Sequence, residues 1–303
     1  MIVGSIIAFY GFIISVGIYI INFLKRKIPI ATSGEFNHKT YIYKKIGKRQ
    51  LKFDIWYPNS KRKKLYPLVF FAHGGGWVSG FRNQPNNISW CKFLASKGFA
   101  VASIDYRFGY KNSMEDILTD YTDALNYVKK YSDKLKFDKN KIILMGLSAG
   151  AHLTMCYAAY NTAHDNHDKM EGILGVCSYY CPSDLNDLFL DETKSLFAKF
   201  GVTKTMNGTP KTEKEMYDRY SPIHVITEKM VPTLIVHGKE DVVVPISSSE
   251  KLFKKLLEKK VPCKFLIHKT GGHTFEFVLK DLQTVQILQN TIKFMKGLVK
   301  NGH

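Results

Sequence analysis

Three residues whose side chains can carry out nucleophilic catalysis lie far apart in the sequence, each after an apolar run. Ser148 is the centre of the pattern G-x-S-x-G at residues 146–150, which follows the apolar run 141–145 and precedes a helix-like stretch. Small residues on both sides permit a sharp strand-to-helix turn that exposes a serine hydroxyl. Asp241 and His273 follow later apolar runs. A histidine can take the serine proton and a carboxylate can orient that histidine, so the three residues predict covalent acyl transfer.

A glycine-rich turn supplies the second requirement of acyl transfer. The apolar run 68–72 leads directly into His-Gly-Gly-Gly-Trp at residues 73–77. Acyl transfer builds negative charge on a carbonyl oxygen, and backbone N–H groups stabilise that charge best when glycine lets the main chain approach closely. We therefore expect an oxyanion hole formed by the N–H groups of Gly75, Gly76 and Ala149, the residue after the serine.

Several residues compete with these assignments. Glu240 precedes Asp241, but adjacent residues at a strand end point apart, so only one of them faces the histidine. Asp241 is favoured because it lies beyond the strand tip, past the turn that starts at residues 238–239. The other histidines with a predicted structural role are His268 within a strand, His237 at a strand end, His152 on the helix after the serine, and His73 as an anchor of the glycine turn.

Together these motifs resemble those of the α/β-hydrolase superfamily. Within it, the chain is similar to esterases with an H-G-G-G-W oxyanion motif and a G-x-S-A-G elbow, namely hormone-sensitive-lipase-like carboxylesterases and feruloyl or acetylxylan esterase-like domains. The resemblance spans about residues 38–299 and implies a Ser148–His273–Asp241 triad without metal or cofactor. Further matching stretches are Ile104–Arg107, Ser148–Leu153, Tyr220–Ile223, His237–Asp241 with Val244 and Pro245, and Gly272–Phe275.

The resemblance implies a serine hydrolase that cleaves carboxylic esters through an acyl-enzyme, and two other classes of function stay open. One is amide or peptide hydrolysis, as in formamidase-like or prolyl-oligopeptidase-like relatives. The other is a membrane-tethered binding protein that has kept the fold and lost the chemistry. The substrate is expected to be a small-molecule, lipid or acyl-sugar ester.

Alternating apolar runs and helix-like stretches predict a mostly parallel sheet of eight strands covered by helices on both faces, which is an α/β-hydrolase fold. Residues 181–229 interrupt this alternation between the sixth and seventh strands and predict a small lid above the carboxyl edge of the sheet. Tyr179 and Tyr180 lie at the end of the predicted sixth strand and Trp77 lies beside the glycine-rich turn, and we expect these three residues to contact substrate. The last helix is predicted from about Phe275 to Val299.

The amino terminus has the composition of a membrane segment. Residues 1–24 contain no charged side chain, and as a helix they would span about 36 Å, enough for a hydrocarbon core of about 30 Å. Residues 25–37 would form a basic juxtamembrane linker to a catalytic domain at residues 38–303. Between Lys25 and Lys64 there are thirteen lysines and arginines against two acids, which predicts that the catalytic domain lies on the cytoplasmic side.

The distribution of the charge and the spacing of the cysteines argue against a nucleic-acid-binding protein and against a metal site. A formal net charge of +18 could suggest nucleic-acid binding, but the lysines are scattered and no nucleic-acid-binding motif accompanies them. The basic block beside residues 1–24 is better explained by attraction to anionic lipid. Five cysteines without metal-ligand spacing indicate reduced thiols, with a Cys177–Cys181 disulfide as a minor alternative.

Overall fold

The computed structural model describes residues 25–59 and 65–301. These residues form a single eight-stranded sheet with the strand order β1-β2-β4-β3-β5-β6-β7-β8. β1 and β2 are antiparallel, β2 pairs antiparallel with β4, and the remaining pairs are parallel. The mostly parallel eight-stranded sheet predicted from the sequence is confirmed. The strands are β1 (His38–Ile46), β2 (Arg49–Trp56), β3 (Tyr66–Ala72), β4 (Ala100–Ile104), β5 (Phe137–Leu147), β6 (Ile173–Tyr179), β7 (Thr233–Gly238) and β8 (Cys263–His268).

Helices cover both faces of this sheet. Leu68 and Phe70 of β3 pack in one apolar core, whereas Val69 and Phe71 pack in the other, because alternate side chains of a strand point to opposite faces. The helices are α1 (Pro85–Ser96), α2 (Met114–Lys130), α3 (Ala149–Ala163), α4 (His167–Met170), α5 (Leu196–Met206), α6 (Lys214–Arg219), α7 (Ile246–Glu258), α8 (Phe275–Val278) and α9 (Leu282–Asn301), with 3₁₀ turns at Leu185–Phe189 and Pro222–His224.

The two cores differ in the helices that close them. Buried residues of α2, α3 and α7 join the first core, and buried aromatic and aliphatic residues of α1 and α9 join the second. α2 begins at a capping box, in which Ser113 and Asp116 each accept a hydrogen bond from the backbone N–H of the other. The parallel strands therefore end along one edge, between two layers of helices, where the loops that follow them meet.

One predicted element is wrong in its extent. The last helix, predicted from Phe275 to Val299, is two helices, α8 and α9, separated by residues 279–281. Leu279 is extended, and the Asp281 carboxylate accepts a hydrogen bond from the Thr284 N–H at 2.7 Å. A side-chain acceptor at this position is a helix N-cap, so a new helix begins at Leu282.

The predicted linker and the predicted membrane helix have different outcomes. Within residues 25–37, Ile28 and Phe36 are buried against the core formed with α1 and α9, so part of this segment packs on the domain. The membrane helix predicted at residues 1–24 lies outside the described residues. Across residues 25–59 and 65–301, no helix has the length and apolar character needed to cross a bilayer. All five cysteines are free thiols, including Cys177 and Cys181.

Candidate active site

The G-x-S-x-G segment forms a strained turn between β5 and α3. Ser148 has a φ of 52° and a ψ of −118°, a backbone conformation that a residue with a side chain seldom adopts. A Cβ on Gly150 would lie 2.2 Å from the Ala72 carbonyl oxygen, and one on Gly146 would lie 2.3 Å from the Gly150 carbonyl carbon. The two glycines thus permit the close packing of β3, β5 and α3 that holds the serine in this conformation.

Ser148, His273 and Asp241 form one hydrogen-bonded chain. The Oγ of Ser148 lies 3.1 Å from Nε2 of His273, and Nδ1 of His273 lies 2.7 Å from Oδ2 of Asp241. Because a carboxylate only accepts hydrogen bonds, Nδ1 carries the proton and Nε2 is left to accept from the serine hydroxyl. The structure brings together the three side chains that the sequence selected, across 125 residues of chain between the serine and the histidine.

The Asp241 carboxylate is held in its charged form. Burial opposes ionisation, but the charge of His273 and hydrogen bonds from His237 and His273 outweigh burial and keep the pKa of Asp241 well below its usual range. The backbone N–H groups of Val243 and Val244 also donate to Oδ1, at 2.8 and 3.0 Å. A permanently charged carboxylate can orient His273 and stabilise a positive charge on its ring.

The glycine-rich turn after β3 lies beside Ser148. Gly75 and Gly76 have φ values of 129° and 58°, and the Gly75 carbonyl accepts hydrogen bonds from the N–H of Val78 and of Ser79 at 3.1 and 3.0 Å. Within the part of the chain that the structure describes, the N–H groups of Gly75, Gly76 and Ala149 donate no hydrogen bond. Unpaired N–H groups next to a serine hydroxyl are suited to binding an oxyanion.

The family to which the chain belongs follows from a comparison with known protein families. The BD-FAE family model matches residues 53–256, which is more than half of the chain and includes Ser148 and Asp241. The chain belongs to the BD-FAE family. The predicted resemblance to esterases of the α/β-hydrolase superfamily is thereby confirmed.

Curated relatives of this BD-FAE protein include esterases. The probable isoprenylcysteine alpha-carbonyl methylesterase ICME of Oryza sativa subsp. japonica is 26% identical over 250 residues, covering 77% of this chain and 57% of the rice protein. Esterase LipC of Mycobacterium tuberculosis is 26% identical over 238 residues, covering 74% of this chain and 57% of LipC. The chain thus spans little more than half the length of these relatives.

Solved structures share the fold of this BD-FAE protein. Esterase B from Lactobacillus rhamnosis superposes with a TM-score of 0.76 at 19% identity, covering 96% of this chain and 93% of that chain. A truncated carbohydrate esterase from gut microbiota superposes with a TM-score of 0.73 at 19% identity, covering 89% of this chain and 100% of that chain. At this identity the likeness establishes the α/β-hydrolase fold.

A cavity of about 660 Å³ opens at the Ser148 hydroxyl in the BD-FAE fold. One wall is the glycine-rich turn with Ser148 and His273, and the opposite wall comes from the lid segment, which we define as residues 181–229. In the lid segment, Leu188, Phe197 and Ala198 line the cavity. The start of α1 adds polar side chains at Gln84, Asn86 and Asn87, which no sequence motif had indicated.

The three predicted substrate contacts have different outcomes. Trp77 and Tyr180 line the cavity, although both side chains are almost wholly buried. Tyr179 does not line it, and this prediction is wrong. Tyr179 is the last residue of β6 and points into the core between α1 and α9, where its hydroxyl lies 2.6 Å from Thr291 Oγ1. Tyr180 leaves the strand with a φ of 40°, which turns its ring against His273 at 4.6 Å.

Glu276 is a buried residue near the site that sequence reasoning missed. Its Oε1 accepts hydrogen bonds from the Tyr180 hydroxyl at 2.6 Å and from the indole N–H of Trp90 at 3.4 Å. Burial raises the pKa of Glu276 to about 7, although these hydrogen bonds and the nearby His273 lower it. The carboxyl group thereby ties α1 and the end of β6 to the segment that follows His273. No sequence signal separated Glu276 from a solvent-facing residue of the predicted long helix.

The competing residues have other partners. The Glu240 side chain is exposed, whereas Asp241 is buried. His237 Nε2 lies 3.2 Å from Asp241 Oδ2 and also contacts the Val244 carbonyl, and its Nδ1 contacts Ser249 Oγ, so His237 supports the Asp241 carboxylate and is not the histidine beside Ser148. The remaining histidines contact other groups, namely His268 with Asp281 and Thr284, His152 with the Tyr220 carbonyl, and His73 with the Gly74 carbonyl. Among residues 25–59 and 65–301, no cluster of three acidic, histidine or cysteine side chains could hold a metal ion.

Proposed function

We propose that this chain is a serine esterase that hydrolyses carboxylic esters through an acyl-enzyme, with Ser148, His273 and Asp241 as its catalytic triad. The observation that carries the proposal is the hydrogen-bonded chain from Ser148 Oγ through His273 to Asp241, next to unpaired backbone N–H groups. The esterase names of the rice and mycobacterial relatives support the same reaction class.

In the first half-reaction, Ser148 Oγ attacks the ester carbonyl carbon while His273 Nε2 takes the hydroxyl proton. The N–H groups of Gly75, Gly76 and Ala149 stabilise the negative charge on the carbonyl oxygen. The C–O bond to the alcohol then breaks, and His273 returns the proton to the leaving oxygen. Asp241 keeps the imidazole in the tautomer whose Nε2 accepts and stabilises the imidazolium that forms.

In the second half-reaction, a water molecule replaces the alcohol. His273 removes a proton from that water as it attacks the acyl carbon, and the serine oxygen leaves with the same proton. The N–H groups that stabilised the first oxyanion stabilise the second. The products are the free acid and the regenerated Ser148 hydroxyl, so the reaction needs no cofactor.

The cavity favours an ester with an apolar acyl or alcohol group. Apolar side chains of the lid segment, Leu188 and Phe197, face Ser148 across about 660 Å³, a volume in the range of small-molecule sites. The rice relative is named as a methylesterase of isoprenylcysteine, and such a substrate is also a small ester on an apolar carrier. We therefore propose small-molecule or lipid esters as substrates.

The proposed attachment to a membrane depends on the sequence. Residues 1–24 are uncharged and long enough for one crossing, and Lys25, Arg26 and Lys27 follow at once. The excess of basic residues up to Lys64 supports a single-pass anchor with the catalytic domain on the cytoplasmic side.

The test of the reaction is Ser148→Ala assayed with p-nitrophenyl esters of increasing acyl length. We expect turnover to fall at least about 10³-fold, because the nucleophile is lost while the oxyanion site remains. A fluorophosphonate probe should label the wild type and not the variant. Ser96→Ala is the matched control, since Ser96 lies at the far end of α1 and its hydroxyl donates to the Phe93 carbonyl.

Three outcomes would contradict the proposal. Ester turnover retained by Ser148→Ala, with an unchanged melting temperature, would remove the assigned nucleophile. Faster turnover of aminoacyl amides than of esters by the wild type would favour an amide or peptide hydrolase. A wild type that neither reacts with the probe nor turns over any ester would favour a binding protein.

A further inference from the structure

The outer face of the lid helix α5 exposes large apolar side chains. Leu196 is 81% exposed and Phe200 is 51% exposed, and Phe197, also exposed, reaches into the cavity beside Gly76. The buried face of the same helix holds Ala198, Val202 and Met206 among other residues. An apolar face left outward at the mouth of a cavity indicates a surface that contacts something other than water.

Neighbouring loops continue this apolar surface. The Lys194 N–H donates to the Val242 carbonyl at 2.8 Å, and Val242 is itself exposed. On the other side, Gly109 packs against Thr205 of α5, which places exposed Tyr110 at the same rim. We call Leu196, Phe197, Phe200, Val242 and Tyr110 the mouth surface.

Lysines lie beside two aromatic rings of the mouth surface. Nζ of Lys204 lies 5.9 Å from the Phe200 ring, and Nζ of Lys111 lies 5.8 Å from the Tyr110 ring. From Lys194 to Lys211 there are four lysines and no acid, and the acids nearest in sequence are Asp191, Glu192 and Glu213. Apolar side chains with flanking lysines are the composition of helices that lie in the interface of an anionic bilayer.

Ile28, which follows the basic residues 25–27, lies close to the same cavity. The Ile28 N–H donates to Ser89 Oγ at 3.2 Å, and Ser89 Oγ donates to the Asn86 carbonyl at 2.6 Å. Asn86 lines the cavity. Residue 28 therefore lies within one helical turn of the cavity wall, and the uncharged residues 1–24 precede it by a few residues. An anchor at this point would hold the cavity mouth near the membrane and not on the far side of the domain.

We propose that the mouth surface lies on the anionic surface of a lipid bilayer, so that the cavity opens toward the lipid. This inference rests on the proposed membrane anchor and goes beyond it, because an anchor alone leaves the domain free to rotate. Burial of Leu196 and Phe200 in the interface supplies apolar contact, and the flanking lysines are attracted to anionic headgroups. Esters dissolved in the bilayer then reach Ser148 without crossing water.

The test uses the full chain reconstituted into vesicles whose lipids carry bromine on their acyl chains, which quenches nearby tryptophan. Phe200→Trp reports on the mouth surface. Tyr160→Trp is the matched control, because Tyr160 is 54% exposed but lies eleven residues along α3 from Ala149, about 16 Å away. The native tryptophans are buried, and their signal is subtracted using the unsubstituted chain.

In vesicles with phosphatidylglycerol, we expect at least about twofold stronger quenching at position 200 than at position 160. The difference should shrink in purely zwitterionic vesicles and in Phe200→Trp chains that also carry Lys194→Glu and Lys204→Glu. Flotation of the vesicles is measured in parallel. If the chain floats with the vesicles but positions 200 and 160 are quenched equally, the proposed orientation of the mouth surface is wrong and the proposed anchor is retained.

Two other outcomes also overturn the proposal. If the chain stays in the aqueous fraction, both the proposed anchor and the proposed contact of the mouth surface with lipid are wrong. Ester turnover measured in the same sample would still support the proposed reaction. The Phe200→Trp chain is also measured in detergent without lipid at increasing protein concentration. If the emission of the introduced indole then shifts to the blue as the concentration rises, a second copy of the chain covers this face.

Discussion

Two walls of the cavity differ in how their residues are held. On the strand side, Gly150 packs against the Ala72 carbonyl with no room for a Cβ, and Ser148 is fixed between β5 and α3. On the lid side, Phe197 and Phe200 belong to a helix whose outer side chains are exposed. On the strand side, main-chain packing fixes the positions of the atoms around Ser148. On the lid side, the helix presents an apolar surface whose side chains can rearrange.

This difference assigns separate tasks to the two walls. Stabilising an oxyanion needs donors held within about 0.5 Å of their productive positions, and tightly packed main chain holds its N–H groups in this way. Admitting an apolar substrate needs contact area and tolerates small movements. Substitutions on the strand side should therefore change both stability and kcat, whereas substitutions on the lid side should change KM for selected substrates.

The largest effect is expected from Gly150→Ala. The new methyl group would lie 2.2 Å from the Ala72 carbonyl oxygen and 2.4 Å from the His73 carbonyl oxygen, so β3 and α3 must move apart. We expect a loss of at least about 3 kcal/mol in the free energy of unfolding, with kcat reduced more than about 100-fold. Urea unfolding and p-nitrophenyl butyrate kinetics measure the two quantities.

Gly297→Ala is the matched control for this substitution. Gly297 is within α9, and a Cβ there would meet no atom of the described residues within 4 Å, apart from its own helix backbone and chain neighbours. Alanine should stabilise the helix by up to about 1 kcal/mol and leave kcat unchanged. Equal stability of the two alanine variants would contradict the view that the strand side is fixed by main-chain packing.

An intermediate effect, dependent on pH, is expected from Glu276→Gln behind the strand side. The folded pKa of Glu276 is raised to about 7, above its ordinary value of about 4.3 in an unfolded chain. The stability associated with this group is therefore present below about pH 4.3 and is lost as the pH rises through 7. The Gln variant, which stays neutral, should be more stable than the wild type by roughly 3 to 4 kcal/mol at pH 8 and similar to it at pH 4.

Urea unfolding of both proteins across pH 4–8 measures this difference. The carboxamide keeps an acceptor for the Tyr180 hydroxyl, so the comparison changes the charge and retains the contact. Parallel stability curves for the two proteins would mean that Glu276 is not the group that titrates. A variant less stable than the wild type at pH 8 would mean that the ionised carboxylate is the form the fold requires.

The smallest effect is expected from Phe197→Ala on the lid side. Phe197 is half-exposed, so its loss should change the free energy of unfolding by less than about 1 kcal/mol. We expect KM to rise about threefold to tenfold for hexanoate esters with little change for acetate esters, because the ring contributes apolar area to the longer chain. Leu257→Ala, an exposed residue of α7 outside the cavity, is the control. A fall in kcat for acetate esters would contradict the separation of the two walls.

The sequence predicted the strand side well because its chemistry needs residue types that stand out. Glycines at 146 and 150 around a serine, after an apolar run, identified the turn at Ser148 from the sequence alone. The order of parallel strands then brought Asp241 and His273 to the same edge. The buried Asp241 and exposed Glu240 also follow the expectation that neighbouring side chains point apart.

Residues at strand ends and in the last helices were harder to predict. Tyr179 and Tyr180 are adjacent tyrosines at the end of a strand buried on both faces, so the alternation of apolar residues did not reveal which one turns toward the cavity. The turn that separates α8 from α9 depends on capping by Asp281, and a continuous apolar pattern concealed it. Glu276 stayed hidden for the same reason, since within one predicted continuous helix nothing separated it from the solvent-facing residues.

Four of the eight non-glycine residues with positive φ in the described structure line the cavity, namely Trp77, Ser148, Tyr180 and Thr274. Each such conformation costs of order 1 kcal/mol or more, so the neighbourhood of the serine is held against its own backbone preferences by the packing around it. Substitutions that relaxed these residues would raise the melting temperature while misaligning the reacting atoms. Substitutions designed to raise the melting temperature of this protein should therefore avoid these four positions.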